Sequence, residues 1–246
     1  MKTTWIVGLG LAALGFACDL STPDADEDDA AVGPRTDASI DSAVSPLASC
    51  SGSASSLGSP TEVRSVQAVG DSILGWNKET SESIPDFVGV QLGVSVQNNA
   101  TGGATFGGED GIASLYESGD FSHVLVNGGG NDFAGECTEE VLDGIVSPDL
   151  SSGIMVGLLD AIAADGAQSV LVGYYLPRDE ETGCELFPEL LRRYRALAET
   201  RSDVVYVCTL ETITPATPRF YADDVHPSPA GSAAIGRVIA ETLQDR

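Results

Sequence analysis

The sequence predicts an α/β protein, a parallel sheet covered by helices on both faces. Three observations carry that prediction. Short apolar runs alternate with segments of helical spacing from residue 65 to the C-terminus. Most of those runs are continuously apolar, as strands buried on both faces must be. Several of them end abruptly in glycine and small polar residues, the pattern expected where strands open onto one sheet edge.

The first strand is Ser65–Val69, SVQAV. A helix is predicted over SIPDFVGVQLG, with Ser83 near its N-cap and Gly93 at its end. Val94–Asn98 and His123–Asn127 are the second and third strands. SGIMVGLLDAIAADGA has the apolar spacing of a helix face, and Gly166 stops it. Ser169–Tyr175 is the fourth strand. FPELLRRYRALAET is strongly amphipathic: Leu190, Leu191, Tyr194 and Leu197 line one side, and its three arginines are expected mostly in solvent. Asp203–Cys208 is the fifth strand. The last helix is capped by Ser228, carries Pro229 in its first turn and presents Ile235, Val238, Ile239 and Leu243 as a stripe.

The chain has 246 residues, 42% of them hydrophobic, enough for one core and too few for two large domains. Its formal charge is −25. So acidic a surface repels phosphodiester backbones, and nucleic acid is not an expected partner. Lys2 followed by the apolar stretch Trp5–Ala17 has the form of an export signal, residues 1–17. It ends in LGFAC, which resembles the lipobox of bacterial lipoproteins. That implies lipidation of Cys18 and attachment to a membrane; a secretory signal cut near Ala17, with free secretion, is the alternative. Residues 18–49 hold eight acidic side chains and one basic, Arg35, among Ala, Ser and Pro. Such a segment reads as a disordered tether. The globular body is then 50–246, with 29 acidic and 10 basic residues.

Four cysteines remain besides Cys18: Cys50, Cys137, Cys184 and Cys208. In an exported chain they suggest two disulfides, with three possible pairings. Cys137 and Cys184 both fall in loops after strands at the same edge, so that pair is expected. Cys50 with Cys208 is the residual pair, unless Cys208 is a buried thiol.

The chemistry sits at the strand ends. Gly70-Asp71-Ser72 follows the first strand, NNATGGAT (98–105) the second and GGGND (128–132) the third; DDVHPS (223–228) precedes the last helix. Each block alone is an ordinary turn, and Asp71 or Ser72 is an ordinary helix cap. Together they suit acyl transfer. Ser72 is the candidate nucleophile, His226 the base that takes its proton, and Asp223 the group that orients the imidazole. The Ser72 N–H, the Gly103 N–H and the Asn131 side-chain amide are candidate donors to the oxyanion. Spacing alone does not choose between Gly102 and Gly103. His123, the other histidine, starts a strand and reads as structural or exposed.

These four blocks resemble the SGNH hydrolases, the GDSL esterase/lipase family, over most of the body from about Val66. The resemblance implies a flavodoxin-like three-layer α/β/α sandwich with a five-stranded parallel sheet. It implies esterase activity through Ser72, His226 and Asp223 without metal or cofactor, and it favours Gly103 over Gly102. The sequence departs from the pattern at Ile73, where the family label has leucine, and at Asp224, where glycine is common and where a second carboxylate competes with Asp223. A small ester or a glycan ester is the expected substrate, and the chain is expected to act as a monomer. Loops 75–84, 107–119 and 135–149 hold few large apolar residues, which favours short acyl groups, including acetyl groups on carbohydrate, over a lysophospholipid or thioester. A phosphate-binding site is disfavoured because no lysine or arginine lies between Lys78 and Arg178. A binding module without catalysis is the remaining rival.

Overall fold

Five valine-rich runs make the sheet: β1 (Ser65–Val69), β2 (Ser95–Asn98), β3 (His123–Val126), β4 (Gln168–Val172) and β5 (Val204–Val207). The computed structural model describes residues 61–178 and 183–245. The segments read as signal and tether, with Cys18 and Cys50, lie outside the described residues. All strand pairs are parallel, in the order β2-β1-β3-β4-β5. This is the flavodoxin-like order, and it reverses direction between β1 and β3. β3, β4 and β5 are buried at every position, while β2 is a half-exposed edge.

Among the described residues seven α-helices complete the three layers: α1 (Ser72–Gly75), α2 (Ile84–Leu92), α3 (Gly130–Gly135), α4 (Glu139–Ile145), α5 (Ile154–Ala164), α6 (Phe187–Thr200) and α7 (Pro229–Gln244). α2 starts at a capping box: Ser83 accepts from the Asp86 N–H, and the Asp86 side chain accepts from the Ser83 N–H. It ends at Gly93 in the left-handed region. α7 starts on Ser228, which accepts from the Gly231 N–H. α2 and α7 pack against each other, with Gly236 close to Phe87 and Ile84. α5 contacts both α4 and β4, and α6 lies against β5.

Two expectations need correction. The fourth strand does not run to Tyr175. The Val172 carbonyl accepts from Asn127 Nδ2 at 3.0 Å, and the Gly173 carbonyl accepts from Thr209 Oγ1 at 2.7 Å. Side chains therefore take the acceptors that a longer ladder would use, and Tyr174 and Tyr175 turn over the sheet edge. Arg193 is not in solvent either. It is 6% exposed, paired with Asp143 at 2.7 Å and Glu189 at 3.0 Å, and it donates to the Val146 carbonyl. Its guanidinium is held because it satisfies a carbonyl at the end of α4 as well as two carboxylates. His123 is buried, with Nδ1 beside the Ser122 hydroxyl at 3.1 Å.

Cys137 and Cys184 form a disulfide, with Cα atoms 5.6 Å apart and a separation of 47 positions in sequence. The bridge ties the loop before α4 to the segment before α6. A loop of that length constrains the unfolded chain substantially. The double variant Cys137→Ser, Cys184→Ser is expected to lose about 2–4 kcal/mol of stability. Denaturant unfolding measures it, and an unchanged midpoint would show that the bridge contributes nothing to the fold. The expected partner of Cys208, Cys50, lies outside the described residues.

Candidate active site

The site lies outside the carboxyl ends of β1, β2 and β3, where the strand order reverses. β1 ends at Val69, and α1 begins at Ser72 after two intervening residues. Asp71 caps that turn: its Oδ1 accepts from the Ile73 N–H at 2.8 Å. Ser72 is the first residue of α1, so its N–H is among the amides a helix start leaves without an intrahelical partner.

The serine hydroxyl meets His226 across the sheet edge. His226 Nε2 is 2.9 Å from Ser72 Oγ, and His226 Nδ1 is 2.8 Å from Asp223 Oδ2. The aspartate is fixed before it touches the ring. Its Oδ1 accepts from the Val225 N–H at 2.8 Å and the His226 N–H at 2.7 Å. That is an Asx-type turn, which the spacing Asp-x-x-His makes locally. Burial pushes the Asp223 carboxyl up, but these N–H donors together with the imidazole outweigh it and hold the acid below its ordinary value. The geometry selects Asp223 over Asp224, whose exposed residue instead offers its backbone carbonyl to the Arg178 N–H at 2.8 Å.

The expected oxyanion donors lie on two tied loops. Asn131 is in the first turn of α3, and its Nδ2 donates to the Ala104 carbonyl at 3.0 Å. Asp132 accepts from the Phe106 N–H at 3.0 Å and 3.2 Å on its two oxygens. Burial pushes Asp132 up, against that opposing bond. The GGND block therefore pins the loop that carries Gly103. Gly103 has φ +77°, a conformation that disfavours any residue with a Cβ. Gly102 lies close to the nucleophile: a methyl group added there would sit 3.9 Å from Ser72 Cβ.

Two contributors were not among the sequence candidates. Tyr174 donates its hydroxyl to Asp71 Oδ2 and accepts from the Gly130 N–H at 3.1 Å. It joins the turn that carries Ser72 to the start of the helix that carries Asn131. Asp71 is buried, which pushes its acid form up, while the Tyr174 hydroxyl and the Ile73 N–H oppose that shift. The other contributor is Trp76, whose ring stacks on His226 with centroids 3.8 Å apart and planes 7° from parallel. The one trace of it in the sequence is an aromatic residue four positions after the serine.

A cavity of about 450 Å³ opens beside Ser72 and Asn131. Its walls are apolar and aromatic: Phe133, Tyr174, Tyr175, Leu176, Phe187 and Val225. Cys184, of the disulfide, lines it as well. Phe187 packs edge-on against both Tyr174, at 4.9 Å, and Phe133, at 6.4 Å. Most of this wall comes from residues 174–177, after β4, and 183–188, at the start of α6, and not from the loops the sequence reading weighed. Among the described residues no group of three or more His, Cys, Asp or Glu is placed to hold a metal ion.

A model of the GDSL-like lipase/acylhydrolase family matches residues 68–234. No curated protein matches the chain significantly. Solved structures of similar fold include TesA, 21% identical with a TM-score of 0.57, covering 74% of this chain and 99% of that one. An arylesterase candidate from Agrobacterium tumefaciens str. C58 is 19% identical with a TM-score of 0.53, covering 74% and 99%. A member of the lipolytic protein G-D-S-L family from Veillonella parvula DSM 2008 is 15% identical with a TM-score of 0.53, covering 74% and 97%. At these identities the structural likeness speaks for the fold alone.

Proposed function

The chain belongs to the GDSL-like lipase/acylhydrolase family and is an esterase, and from that premise we propose that it works through an acyl-enzyme on Ser72. The observation that carries this reading is the unbroken relay Ser72 Oγ, His226 Nε2, His226 Nδ1, Asp223 Oδ2, with contacts of 2.9 Å and 2.8 Å. Ser72 Oγ attacks the ester carbonyl carbon and gives its proton to His226 Nε2. Asp223 stabilises the imidazolium through Nδ1. The carbonyl oxygen becomes an oxyanion and takes hydrogen bonds from the Ser72 N–H, the Gly103 N–H and Asn131 Nδ2. Collapse breaks the bond to the alcohol, which leaves with the proton from His226. Water then gives a proton to His226 and attacks the acyl-serine. The acid departs and Ser72 regains its proton. A serine-reactive fluorophosphonate should label Ser72 stoichiometrically; a folded protein that resists it is a binding module and not this enzyme.

The cavity beside Ser72 bears on the substrate. Short acyl groups were expected from loops poor in apolar residues, but those loops do not form most of the wall. An aromatic-lined cavity of about 450 Å³ favours an apolar acyl chain longer than acetyl. Each methylene it buries contributes about 0.8 kcal/mol. For 4-nitrophenyl esters we expect kcat/KM to rise about tenfold or more from acetate to octanoate, equivalent to about 1.4 kcal/mol or more of transition-state binding. Equal values would return the reading to short acyl or carbohydrate acetyl esters. We place the enzyme outside the cytosol, as a lipoprotein anchored at Cys18 or a secreted protein. The Cys137–Cys184 bridge supports an oxidising compartment. No helix among the described residues is long and apolar enough to cross a membrane.

A further inference from the structure

We propose that Trp76 is a positioning residue that holds the His226 imidazole in the plane from which it exchanges a proton with Ser72, an inference that rests on the triad reading above. Ser72 opens the single turn of α1 and Trp76, four residues on, is its C-cap, whose N–H donates to the Ser72 carbonyl at 2.8 Å. Positions i and i+4 of a helix lie one above the other on the same face. One turn of chain therefore presents the nucleophile and an indole face to the same imidazole. The ring meets Ser72 Oγ with Nε2 at 2.9 Å and lies flat on the indole at 3.8 Å.

The stack supplies a constraint that the other contacts lack. Asp223 holds Nδ1, and Nε2 points at the serine, so both hydrogen bonds lie in the plane of the ring. Neither strongly resists rocking of the imidazole out of that plane. An indole within 7° of parallel does resist it. The next residue fastens the backbone under the histidine: Asn77 Nδ2 donates to the Pro227 carbonyl at 3.1 Å. Asn77 makes this reach from the left-handed region, φ +63°, which asparagine tolerates better than most residues. Residues 76 and 77 thus grip residues 226 and 227 from the side of the nucleophile. When the proton moves to Nε2, the cation forms over the indole face, where it is attracted.

The test compares Trp76→Ala, Trp76→Phe and Trp76→Leu on a 4-nitrophenyl ester, with the rate of Ser72 labelling by a fluorophosphonate measured in parallel. The flat ring is the feature at issue, so Phe and Leu separate it from apolar bulk. In Trp76→Ala, kcat should fall about tenfold to thirtyfold with KM within about twofold, and the labelling rate should fall by the same factor. Trp76→Phe should recover to within about threefold of the parent, and Trp76→Leu should not. The proposal is overturned by a folded Trp76→Ala enzyme whose kcat is within about twofold of the parent. A loss confined to KM overturns it too, as do equal kcat values for the Phe and Leu variants. If Trp76→Ala does not fold, the Phe and Leu pair alone decides. Failure of the triad reading is seen separately, as turnover surviving in Ser72→Ala.

Discussion

Ser72→Ala and His226→Ala are each expected to lower kcat by about 10⁴-fold or more on a simple ester, with the fold intact. The size follows from the relay. In the proposed mechanism Ser72 supplies the atom that bonds to the acyl carbon, and no other hydroxyl among the described residues is hydrogen-bonded to the His226 ring. In the same mechanism His226 takes the proton in each half-reaction, so its removal should stop both acylation and deacylation. The two losses are not additive, because the residues act as one unit. The double variant should be nearly as active as either single one. The fold survives because the Ser72 hydroxyl is engaged only by His226 among the described residues, and the His226 ring is only partly buried. Circular dichroism and kcat on the same preparations check the claim. Substantial turnover by a folded Ser72→Ala protein would end the acyl-enzyme reading.

The next largest effect falls on Asn131. Asn131→Ala is expected to lower kcat about 10²–10³-fold, with little change in KM. A side-chain amide nitrogen has two hydrogens. One is given to the Ala104 carbonyl at 3.0 Å, and in the proposed mechanism the other goes to the oxyanion. The substitution therefore removes a donor and also unties the residue next to Gly103. Both effects act where negative charge develops, which places the loss in kcat. Asp132 still holds the same loop through the Phe106 N–H, so the protein should fold. Steady-state kinetics on acetate and octanoate esters measure this. A loss below about tenfold would take Asn131 out of the oxyanion site.

Several parts of this molecule were legible because the signal for each lies within a few residues. The Ser83 and Ser228 caps and the glycine stops at Gly93 and Gly166 are short-range bonds and backbone conformations. The buried strands show as apolar runs because both faces of each must be covered. The contact of Asp223 with His226 is local in the same way, because a carboxylate three residues earlier can close on the intervening N–H groups and the ring at once. The short helices α1, α3 and α4 were missed, since a single turn or two leaves no periodicity to detect.

The sequence by itself determined the parallel α/β architecture, the three-layer sandwich by way of the family resemblance, and the polar blocks that would meet at one edge. Only the tertiary structure decided what surrounds them. Arg193 is buried because Asp143, fifty residues away, and the end of α4 are brought to it. The apolar cavity exists because β4 stops at Val172 and releases two tyrosines over the edge, with α6 and a disulfide closing the far side. Trp76 reaches His226 because parallel crossovers return chain ends to the same edge after long excursions. Such contacts depend on where whole elements pack, and local propensity carries no record of that.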